Sequence, residues 1–484
     1  MADSSLDTYR RKRNPARTPE PVPPKRTSER SRRRGPPTFV IQEHHASALH
    51  WDFRLERDGV LVSWALPKGL PVDPARNHLA VPTEDHPLEY SRFSGTIPAE
   101  EYGGGEVTIW DQGTYDCEKW SDREVMVVLH GERAEGRYVL FPTGKNWMIH
   151  RMDPPPDGWE PLPERLSPML AVPADRPPEG DDWVYEFKWD GIRVLLWVDG
   201  GRVRAVTRNG NDTTGSFPEL REFGEAVGSA QLLLDGELVA LDEHGHPSFS
   251  RLQRRLHVTS AGGVRKAAAA DPASLMLFDL LHRDGRSLLG APYRQRRQQL
   301  ESLGLSGPSW AVTPFFTDDP GSEALRIAAE LGMEGVVAKR RDSVYRPGAR
   351  SRDWVKVKNH RTQEVVVGGW TPGQGNRRNL FGSLLLGLPA DGRKGVLRYA
   401  GKVGTGFTQA AIEDLLERLR PLARKSSPFD EDLAREVGTD VTWVRPVLVG
   451  EVRFSEWTPD HRFRHPVWRG IRADKSPADV DYEP

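Results

Sequence analysis

A lysine suited to nucleophilic chemistry, Lys188, ends the strand-like run WVYEFK and is followed, after one tryptophan, by the turn-forming pair Asp190-Gly191. A neutral lysine amine is a nucleophile, which an arginine guanidinium is not. The chain contains 54 Arg and only 14 Lys, so lysine is not its default cation. Taken alone, however, this segment is also compatible with a surface lysine in a hairpin.

Charged residues further along the chain supply what phosphoryl transfer requires. Lys356 and Lys358 alternate within the run WVKVK, so both side chains would lie on one strand face about 6–7 Å apart, a spacing that suits a phosphate group. Glu237 and Glu334 offer hard oxygen ligands for Mg²⁺. Phe278 is compatible with core packing, but it could also stack on a base.

Seven short motifs follow one another between residues 166 and 480: KWDGIR, TRNG, LDGEL, FD, EGVVAK, WVKVK and RADK. This series resembles the motifs of the covalent nucleotidyltransferases, which comprise ATP-dependent DNA ligases, RNA ligases and mRNA capping enzymes. Each motif is weak alone, whereas seven in this order are specific. EGVVAK and the segment RHPVWRGIRADK are most similar to bacterial DNA ligases of the non-homologous end-joining type.

The resemblance implies that Lys188 forms a covalent lysyl-AMP intermediate with ATP. It also implies that ATP is held by a set of acidic, basic and aromatic side chains, namely Glu186, Arg193, Arg208, Glu237, Phe278, Glu334, Lys356, Lys358 and Arg472. Mg²⁺ or Mn²⁺ would bind at Glu237 and Glu334, and Asp474 and Lys475 would orient the pyrophosphate leaving group. Two alternatives stay open: an RNA ligase, and a catalytically weak scaffold that binds DNA ends.

A second group of polar residues alternates with apolar ones in the run LHWDFRLE, residues 49–56. In a strand, His50, Asp52 and Arg54 would share one face and the apolar residues the other. Together with His44, the set contains two imidazoles and a carboxylate, which suits Mn²⁺, Zn²⁺ or Fe²⁺. A solvated polar strand face explains His50 and Asp52 equally well.

The surrounding sequence, from FVIQEHHASALHWDFRLERDG to SGTIPAEEYGGGEVTIWD, closely resembles the phosphoesterase domain of bacterial DNA ligase D. That family removes a 3′-phosphate or a terminal ribonucleotide and depends on manganese. The resemblance implies that His44, His50 and Asp52 are the Mn²⁺ ligands. It implies further active-site residues around them, namely Gln42, Arg54, Lys68, Glu84 and His86, with Tyr90 behind.

The N-terminal segment YRRKRNPARTPEP is similar to a segment of the same family that contributes to activity. Arg13 and Glu20 match it, whereas Asn14 stands where the family usually has aspartate, which weighs against ribonucleotide trimming more than against phosphate removal. The first 34 residues hold eleven Lys/Arg and four Asp/Glu. We therefore expect residues 1–37 to form a basic flexible arm that could contact DNA phosphates.

The predicted strands, helices and linker around these residues indicate a multidomain protein. Residues 38–152 contain about seven short strands and no convincing helix, and residues 153–165 form a Pro-rich linker. Few contacts should cross that linker, so the halves 1–155 and 160–484 should fold separately. The expected order is an all-β, barrel-like phosphoesterase domain at 38–152, an α+β nucleotidyltransferase (adenylation) domain at 166–360, and a C-terminal OB-fold β-barrel at 361–484.

Two helices are predicted from their apolar spacing and end signals. The run SEALRIAAELG predicts a helix with Ser322 as N-cap and Gly332 just past its end. A second helix is expected over about 408–423, with Thr408 as N-cap.

Composition excludes several classes of protein. No apolar run approaches the roughly 18–20 residues of a membrane helix, no secretory signal pattern is present, and the single Cys117 excludes an internal disulfide framework. A net charge of −1 excludes a uniformly basic nucleic-acid binder. With the resemblance, these features predict a monomeric, cytoplasmic, nucleoid-associated bacterial enzyme that acts on DNA ends and nicks with the ring-shaped Ku protein as partner. The 484 residues leave no room for the polymerase domain that this family usually carries, so end healing plus sealing is expected.

Overall fold

The structure is a computed structural model of the chain. It describes residues 6–23, 35–256, 258–317, 320–359, 361–373, 380–390, 395–438 and 440–482. Within these ranges, every helix is too short or too polar to span a lipid bilayer.

An antiparallel barrel forms the first domain. Its strands are β1 Thr38–His45, β2 Leu49–Arg57, β3 Val60–Leu66, β4 His78–Pro82, β5 Gly95–Ile97, β6 Gly105–Trp120, β7 Val125–His130, β8 Glu135–Thr143 and β9 Asn146–Arg151. Eight of them pair in the order β1-β2-β3-β4-β9-β8-β7-β6, and pairing of β6 with β1 closes the barrel, while β5 extends β6. The apolar residues of β2, among them Trp51 and Phe53, fill the interior.

The polar face of β2 points out of the barrel, but it is not solvated. Asp52 and Arg54 are buried there, as is Gln42 of β1. Residues 6–23 and the turn at 87–93 cover this face, so the alternative of a solvated strand face is wrong.

The N-terminal segment differs from the expected flexible arm. Helix α1, Asp7–Arg11, buries Tyr9 against Val60, Leu61 and Tyr90 of the barrel. Arg13 and Glu20 are buried as an ion pair. Residues 6–23 are therefore part of the barrel domain, because one aromatic anchor and one buried ion pair fix them. The basic run at 24–34 lies outside the described residues.

The second half of the linker lies on the predicted adenylation domain, residues 166–360. The Trp159 ring covers Gly285 so closely that no Cβ fits there, and the Glu160 N–H donates to the Gly285 carbonyl oxygen at 2.6 Å. Leu162 belongs to a core with Trp197. The two apolar side chains of the linker thus pack on the next domain. The expectation of few contacts across the linker is wrong because the barrel and that domain also contact each other directly.

The barrel also contacts the adenylation domain directly. Trp110 donates from Nε1 to Ser229 Oγ at 2.8 Å, and Arg221 donates to the Ser47 carbonyl oxygen at 2.7 Å. Gly201 approaches Leu49 so closely that a Cβ would collide with it. The β1–β2 hairpin that carries His44 and His50 is thus held against the second domain.

Two sheets form the adenylation domain. The strands are β10 Leu170–Pro173, β11 Trp183–Lys188, β12 Ile192–Asp199, β13 Arg202–Thr207, β14 Leu232–Ala240, β15 Ala273–Arg283, β16 Arg286–Ser287, β17 Ser306–Gly307, β18 Trp310–Val312, β19 Phe315–Phe316, β20 Gly335–Arg340 and β21 Arg350–Lys358. One sheet has the order β10-β21-β20-β11-β19, and the other has the order β13-β12-β14-β15-β18-β17, with β16 beside β15. The helices are α2 Glu219–Val227, α3 Phe249–Leu256, α4 Ala261–Ala270, α5 Tyr293–Ser302 and α6 Gly321–Glu330.

The C-terminal domain has the predicted OB-fold type, with one sheet curled around an apolar core. Its elements are β22 Arg361–Pro372, β23 Phe381–Pro389, β24 Leu397–Val403, α7 Gln409–Leu419, β25 Ala423–Arg424, α8 Ala434–Val437, β26 Thr442–Val444, β27 Val449–Phe454, β28 Glu456–Trp457, β29 Phe463–Arg464 and β30 Val467–Ile471. Strand β22 pairs with β23, β26 and β27, and β27 pairs with β30. The multidomain fold class is confirmed.

The two predicted helix starts have different outcomes. Thr408 caps α7 as expected, since its Oγ1 accepts from the Ala411 N–H at 3.2 Å. Ser322 is not the N-cap of α6, because the helix already begins at Gly321 and the carboxylate of the distant Glu179 accepts from the N–H groups of both residues.

Candidate active sites

The histidine cluster lies close to the turn that joins β1 to β2. His44 pairs directly with His50, and Asp52 faces Gln42 two pairs further along the ladder. One potential ligand atom from each of His44, His50 and Asp52 lies within 4.8 Å of the others. His44 Nδ1 is 3.4 Å from Asp52 Oδ2, and His50 Nε2 is 3.8 Å from Oδ1.

The two imidazoles are oriented for a metal ion by the protein backbone. His44 donates from Nε2 to the Gly103 carbonyl oxygen at 2.9 Å, and His50 donates from Nδ1 to the Ala48 carbonyl oxygen at 2.9 Å. Each ring therefore points its other nitrogen toward Asp52. Metal-binding histidines usually have such a hydrogen bond behind them, and two imidazoles with one carboxylate fit a transition metal.

Arg54 connects this cluster to the remaining predicted partners. Its guanidinium donates from Nη2 to Asp52 Oδ2 and from Nε to Gln42 Oε1, at 2.9 and 2.8 Å, and its Nη1 is 2.9 Å from His86 Nδ1. Burial opposes the charge of Asp52, but Arg54 and the two histidines outweigh it and hold the pKa of Asp52 below its usual range. The carboxylate is therefore ionised and available as a ligand.

His86 is held neutral between two arginines. Burial lowers the pKa of His86 well below its usual value, and Arg54 and Arg13 lower it further. Arg13 Nη2 lies 3.3 Å from His86 Nε2, and its Nη1 donates to Glu84 at 2.8 Å. Tyr90 is buried beside this group and donates to Glu20 at 3.1 Å.

Two residues next to this cluster were not predicted from the sequence. Tyr9 packs its ring 3.8 Å from the Arg13 guanidinium and edge-on to His86, and Lys12 donates to Glu84 at 3.0 Å. One feature of the sequence indicated their position. Arg13 and Glu20 match a segment that contributes to activity in the resembled family, so residues around them should also lie near the site.

Lys68 is placed differently from the other predicted partners. It follows β3, is exposed, and lies with its backbone against Gly200 of the adenylation domain. Within the described part of the chain, its side chain forms no hydrogen bond or ion pair with the histidine cluster, so its catalytic role stays a prediction. Asn14 accepts from the Ala16 N–H and serves a local turn.

The second candidate site is a cleft of about 220 Å³ between the two sheets of the adenylation domain, closed by the OB-fold. All residues predicted to serve ATP line it, together with Lys188, Asp474 and Lys475. Lys188, at the end of β11, forms an ion pair with Glu334, and Lys358 lies 3.5 Å from the same carboxylate. Burial opposes the charge of Glu334, yet the two lysines lower its pKa.

Arg193 and Phe278 form one wall of the cleft. Arg193 donates two hydrogen bonds to Asp235, which also accepts from Tyr345, and its guanidinium lies 5.4 Å from the Phe278 ring. Asp235 is fully buried, so this ion pair fixes the direction of Arg193.

Glu186 contacts more protein side chains than the resemblance implied. Its carboxylate pairs with Lys339 at 2.8 Å, lies 3.6 Å from Arg297 and accepts from Tyr293. Lys339, which sequence reasoning quoted within EGVVAK but assigned no role, is buried among Phe278, Tyr293 and Trp354. An adenine contact of Glu186 stays a prediction.

Glu237 carries a carboxyl with an altered proton affinity. Burial raises its pKa to about 8, although Lys188, Arg193 and Arg472 oppose that shift. A buried carboxyl between cations can exchange its proton for a divalent cation, which agrees with the predicted metal position.

The OB-fold reaches over the cleft with several charged side chains. Arg472 pairs with Asp474 at 2.8 Å and with Glu451 at 3.3 Å, and Lys475 pairs with Glu364. The predicted leaving-group residues therefore line the same cleft as Lys188 and are held by carboxylates of their own domain.

One contact that holds the OB-fold against the preceding domain was not predicted from the sequence. Arg469 of β30 forms an ion pair with Asp190, two residues after Lys188, and also pairs with Glu451 at 3.2 Å. Asn209 donates to the Asp474 carbonyl oxygen, and Arg350 pairs with Asp481 at 3.0 Å. Arg469 lies within the RHPVWRGIRADK segment, but nothing in its type or spacing distinguished it from a surface arginine.

Three protein families match the chain in order. The DNA Ligase D 3′-phosphoesterase domain matches residues 42–142, the ATP dependent DNA ligase domain matches residues 168–358, and the ATP dependent DNA ligase C terminal region matches residues 377–475.

Similar proteins include the multifunctional non-homologous end joining DNA repair protein LigD of Mycobacterium tuberculosis, 46% identical over 98% of this chain and 61% of that protein. The LigD of Pseudomonas aeruginosa is 37% identical over 99% of this chain and 62% of that protein. The chain thus spans about three fifths of the length of these relatives. A solved mycobacterial DNA ligase D complexed with ATP and MES matches with 41% identity and a TM-score of 0.52, over 66% of this chain and 98% of that one.

Proposed function

Because the chain belongs to the bacterial DNA ligase D family, we propose that it is an ATP-dependent DNA ligase with its own 3′-end-healing phosphoesterase. It seals DNA breaks in non-homologous end joining. The barrel removes a 3′-phosphate, or trims a terminal ribonucleotide, and leaves a 3′-hydroxyl for the ligase.

One observation carries the ligase assignment: the Lys188 amine lies in a cleft with Glu334 and Lys358, under Arg472 and Lys475 of the OB-fold. In the first step the Lys188 nitrogen bonds to the α-phosphorus of ATP, and the bond from that phosphorus to pyrophosphate breaks. The cationic side chains offset the charge that develops on the phosphate oxygens. The AMP then passes to a 5′-phosphate, and the DNA 3′-hydroxyl displaces it.

The phosphoesterase assignment rests on the barrel's histidine cluster. His44, His50 and Asp52 would hold Mn²⁺, which would polarise a phosphate oxygen or a water molecule. Arg54 and the neutral His86 lie beside the cluster, where they can contact the scissile phosphate and move a proton. In the ligase cleft, Glu237 and Glu334 would hold Mg²⁺ or Mn²⁺.

Cellular context follows from the same family. We place the enzyme in the bacterial cytoplasm, associated with the nucleoid, as a monomer that works on DNA ends and nicks with Ku as its partner. A pull-down of purified Ku with the full chain, in the presence and absence of DNA, tests direct contact.

The deciding experiment follows a labelled nick that carries a 3′-phosphate, incubated with the full chain, ATP and Mn²⁺. We expect loss of the phosphate followed by a sealed strand. Transfer of AMP to nicked RNA in preference to DNA would favour the RNA ligase alternative, and absence of any covalent AMP adduct would favour the scaffold.

A further inference from the structure

A groove of about 510 Å³ lies between the barrel and the adenylation domain, apart from both candidate active sites. Lys68 and Arg76 line it from the barrel side. The linker residues 162–165 and the neighbouring ends of β12 and β13 line it from the other side. We call it the interdomain groove.

The interdomain groove is strongly cationic. Its walls carry five basic and two acidic side chains, namely Lys68, Arg76, Arg165, Arg202 and Arg204 against Glu164 and Asp199. Arg165 and Arg202 are exposed, and neither forms an ion pair with any described residue. Such a surface attracts a polyanion.

Arg204 is held in the groove by an aromatic ring and a main-chain carbonyl oxygen, which leave its positive charge unneutralised. Its guanidinium stacks 4.2 Å from the Trp197 ring and donates to the main-chain carbonyl oxygen of Glu164 at 2.6 Å. A buried tryptophan thus fixes the position of an exposed cation, as in a built binding surface.

The groove extends toward both active sites. Strand β13 is the edge of its sheet, and Arg202 and Arg204 project from one face of it because side chains alternate. Arg208 follows the last residue of this strand. Arg208 lines the ligase cleft, about 20 Å from Arg202 at roughly 3.3 Å per residue. At the other end, Gly200 and Gly201 contact Lys68 and Leu49, and Leu49 precedes the predicted metal ligand His50.

From this arrangement we propose that the interdomain groove binds the phosphodiester backbone of the DNA substrate and retains a DNA whose 3′ end has been healed until it is sealed. The proposal rests on the proposed function, because it needs both activities in one chain. The groove's position between the two sites, rather than its charge alone, carries it.

The test compares the full-length double variant Arg165→Glu/Arg202→Glu with Arg123→Glu/Arg265→Glu. The control arginines are also exposed, one on each of the same two domains, but they lie outside the groove. Binding of a nicked duplex is measured by fluorescence anisotropy over a range of KCl concentrations. The slope of log K against log salt should fall by about two for the groove variant, since each phosphate contact contributes roughly 0.9, and should not change for the control.

A second measurement follows a 3′-phosphate nick prebound to enzyme and started with ATP, Mn²⁺ and excess competitor DNA. The groove variant should heal the end but seal severalfold less of it than the wild type. An unchanged salt slope, or equal losses in both double variants, would overturn the proposal. The lysyl-AMP adduct forms without DNA, so its absence in the wild type would instead overturn the proposed function.

Discussion

The two candidate active sites of this chain are assembled in opposite ways. The phosphoesterase cluster is built within one barrel, and its imidazoles come from directly paired residues, His44 and His50. The ligase site is divided between two domains, with Lys188 on one and Arg472 on the other. The first site is complete once the barrel and residues 6–23 have folded together, whereas the second is complete only when two domains meet.

This difference agrees with the chemistry proposed for each site. Removal of a phosphate takes place at one fixed place, so a rigid site is sufficient. Ligation presents the same AMP first to pyrophosphate and then to a DNA end, so the groups that face the leaving group must withdraw between steps. The predictions below test how independent and how differently built the two sites are.

The largest expected effect is that of Lys188→Ala, which should reduce the covalent AMP adduct below detection. Among the described residues that line the cleft, no other lysine lies just before the Asp190-Gly191 turn, and Lys188→Arg should fail as well because a guanidinium stays protonated. Labelled ATP and a denaturing gel measure this. Removal of a 3′-phosphate should be unaffected, and a labelled alanine variant would exclude Lys188 as the nucleophile.

His50→Ala is the reciprocal change. It removes one of the two imidazoles, so 3′-phosphate removal should be lost while a nick with a 3′-hydroxyl is still sealed. A nick that ends in a 3′-phosphate should then stay open, because it has no oxygen nucleophile. Gel analysis of both nicks checks this, and equal sealing of the two would contradict the end-healing role of the barrel.

The two sites should differ in their choice of metal. Imidazole ligands favour transition metals, whereas the described residues that line the ligase cleft offer carboxylates and no histidine. We expect 3′-phosphate removal with Mn²⁺ and little with Mg²⁺, while adduct formation proceeds with either. Parallel assays after chelation and readdition of each ion measure this, and equal end-healing rates in both ions would count against the histidine cluster as the metal site.

Arg469→Ala tests whether closure of the OB-fold assists only the first ligation step. Asp190 is buried, and loss of its cationic partner should slow adduct formation about 10- to 100-fold, as for a charged hydrogen bond of about 1.5–3 kcal/mol. Sealing of a nick that is already adenylated should change much less. The exposed Arg453→Ala on the same domain is the control; equal slowing of both steps would argue against a role confined to closure.

The smallest effect concerns the linker. A fragment that starts at residue 157 should be more stable than one that starts at residue 160, by about 1–2 kcal/mol, because it keeps the half-buried Trp159 on Gly285. Urea unfolding of the two fragments gives the difference, and both should form the AMP adduct. Identical midpoints would show that Trp159 does not stabilise the adenylation domain.

Local patterns in the sequence predicted the parts of each site that lie on one strand. The period of two in β2 was sufficient to place His50, Asp52 and Arg54 on one face, and the same rule placed Lys356 and Lys358 in the ligase cleft. Thr408 was identified as a cap because its partner is three residues away.

Contacts between distant segments could not be predicted in this way. Glu179 replaces Ser322 at the start of α6 although it is more than 140 residues away, and Tyr9 closes the phosphoesterase site from a segment whose composition is that of a disordered arm. Arg469 and Asp190 meet only because two domains pack together. Composition and spacing carry no information about such pairings.

The closed position of the OB-fold also sets the order in which the enzyme can take up its substrates. Under the proposed function, a DNA end would reach Lys188 once Arg469, Asn209 and Arg350 have released their partners across the domain boundary. The apparent dissociation constant for DNA is the intrinsic value divided by the open fraction, so a closed population of about 99% weakens binding about 100-fold. Any event that lowers the closed population therefore tightens DNA binding without adding a single contact to DNA, and a closed resting state favours ATP as the first substrate.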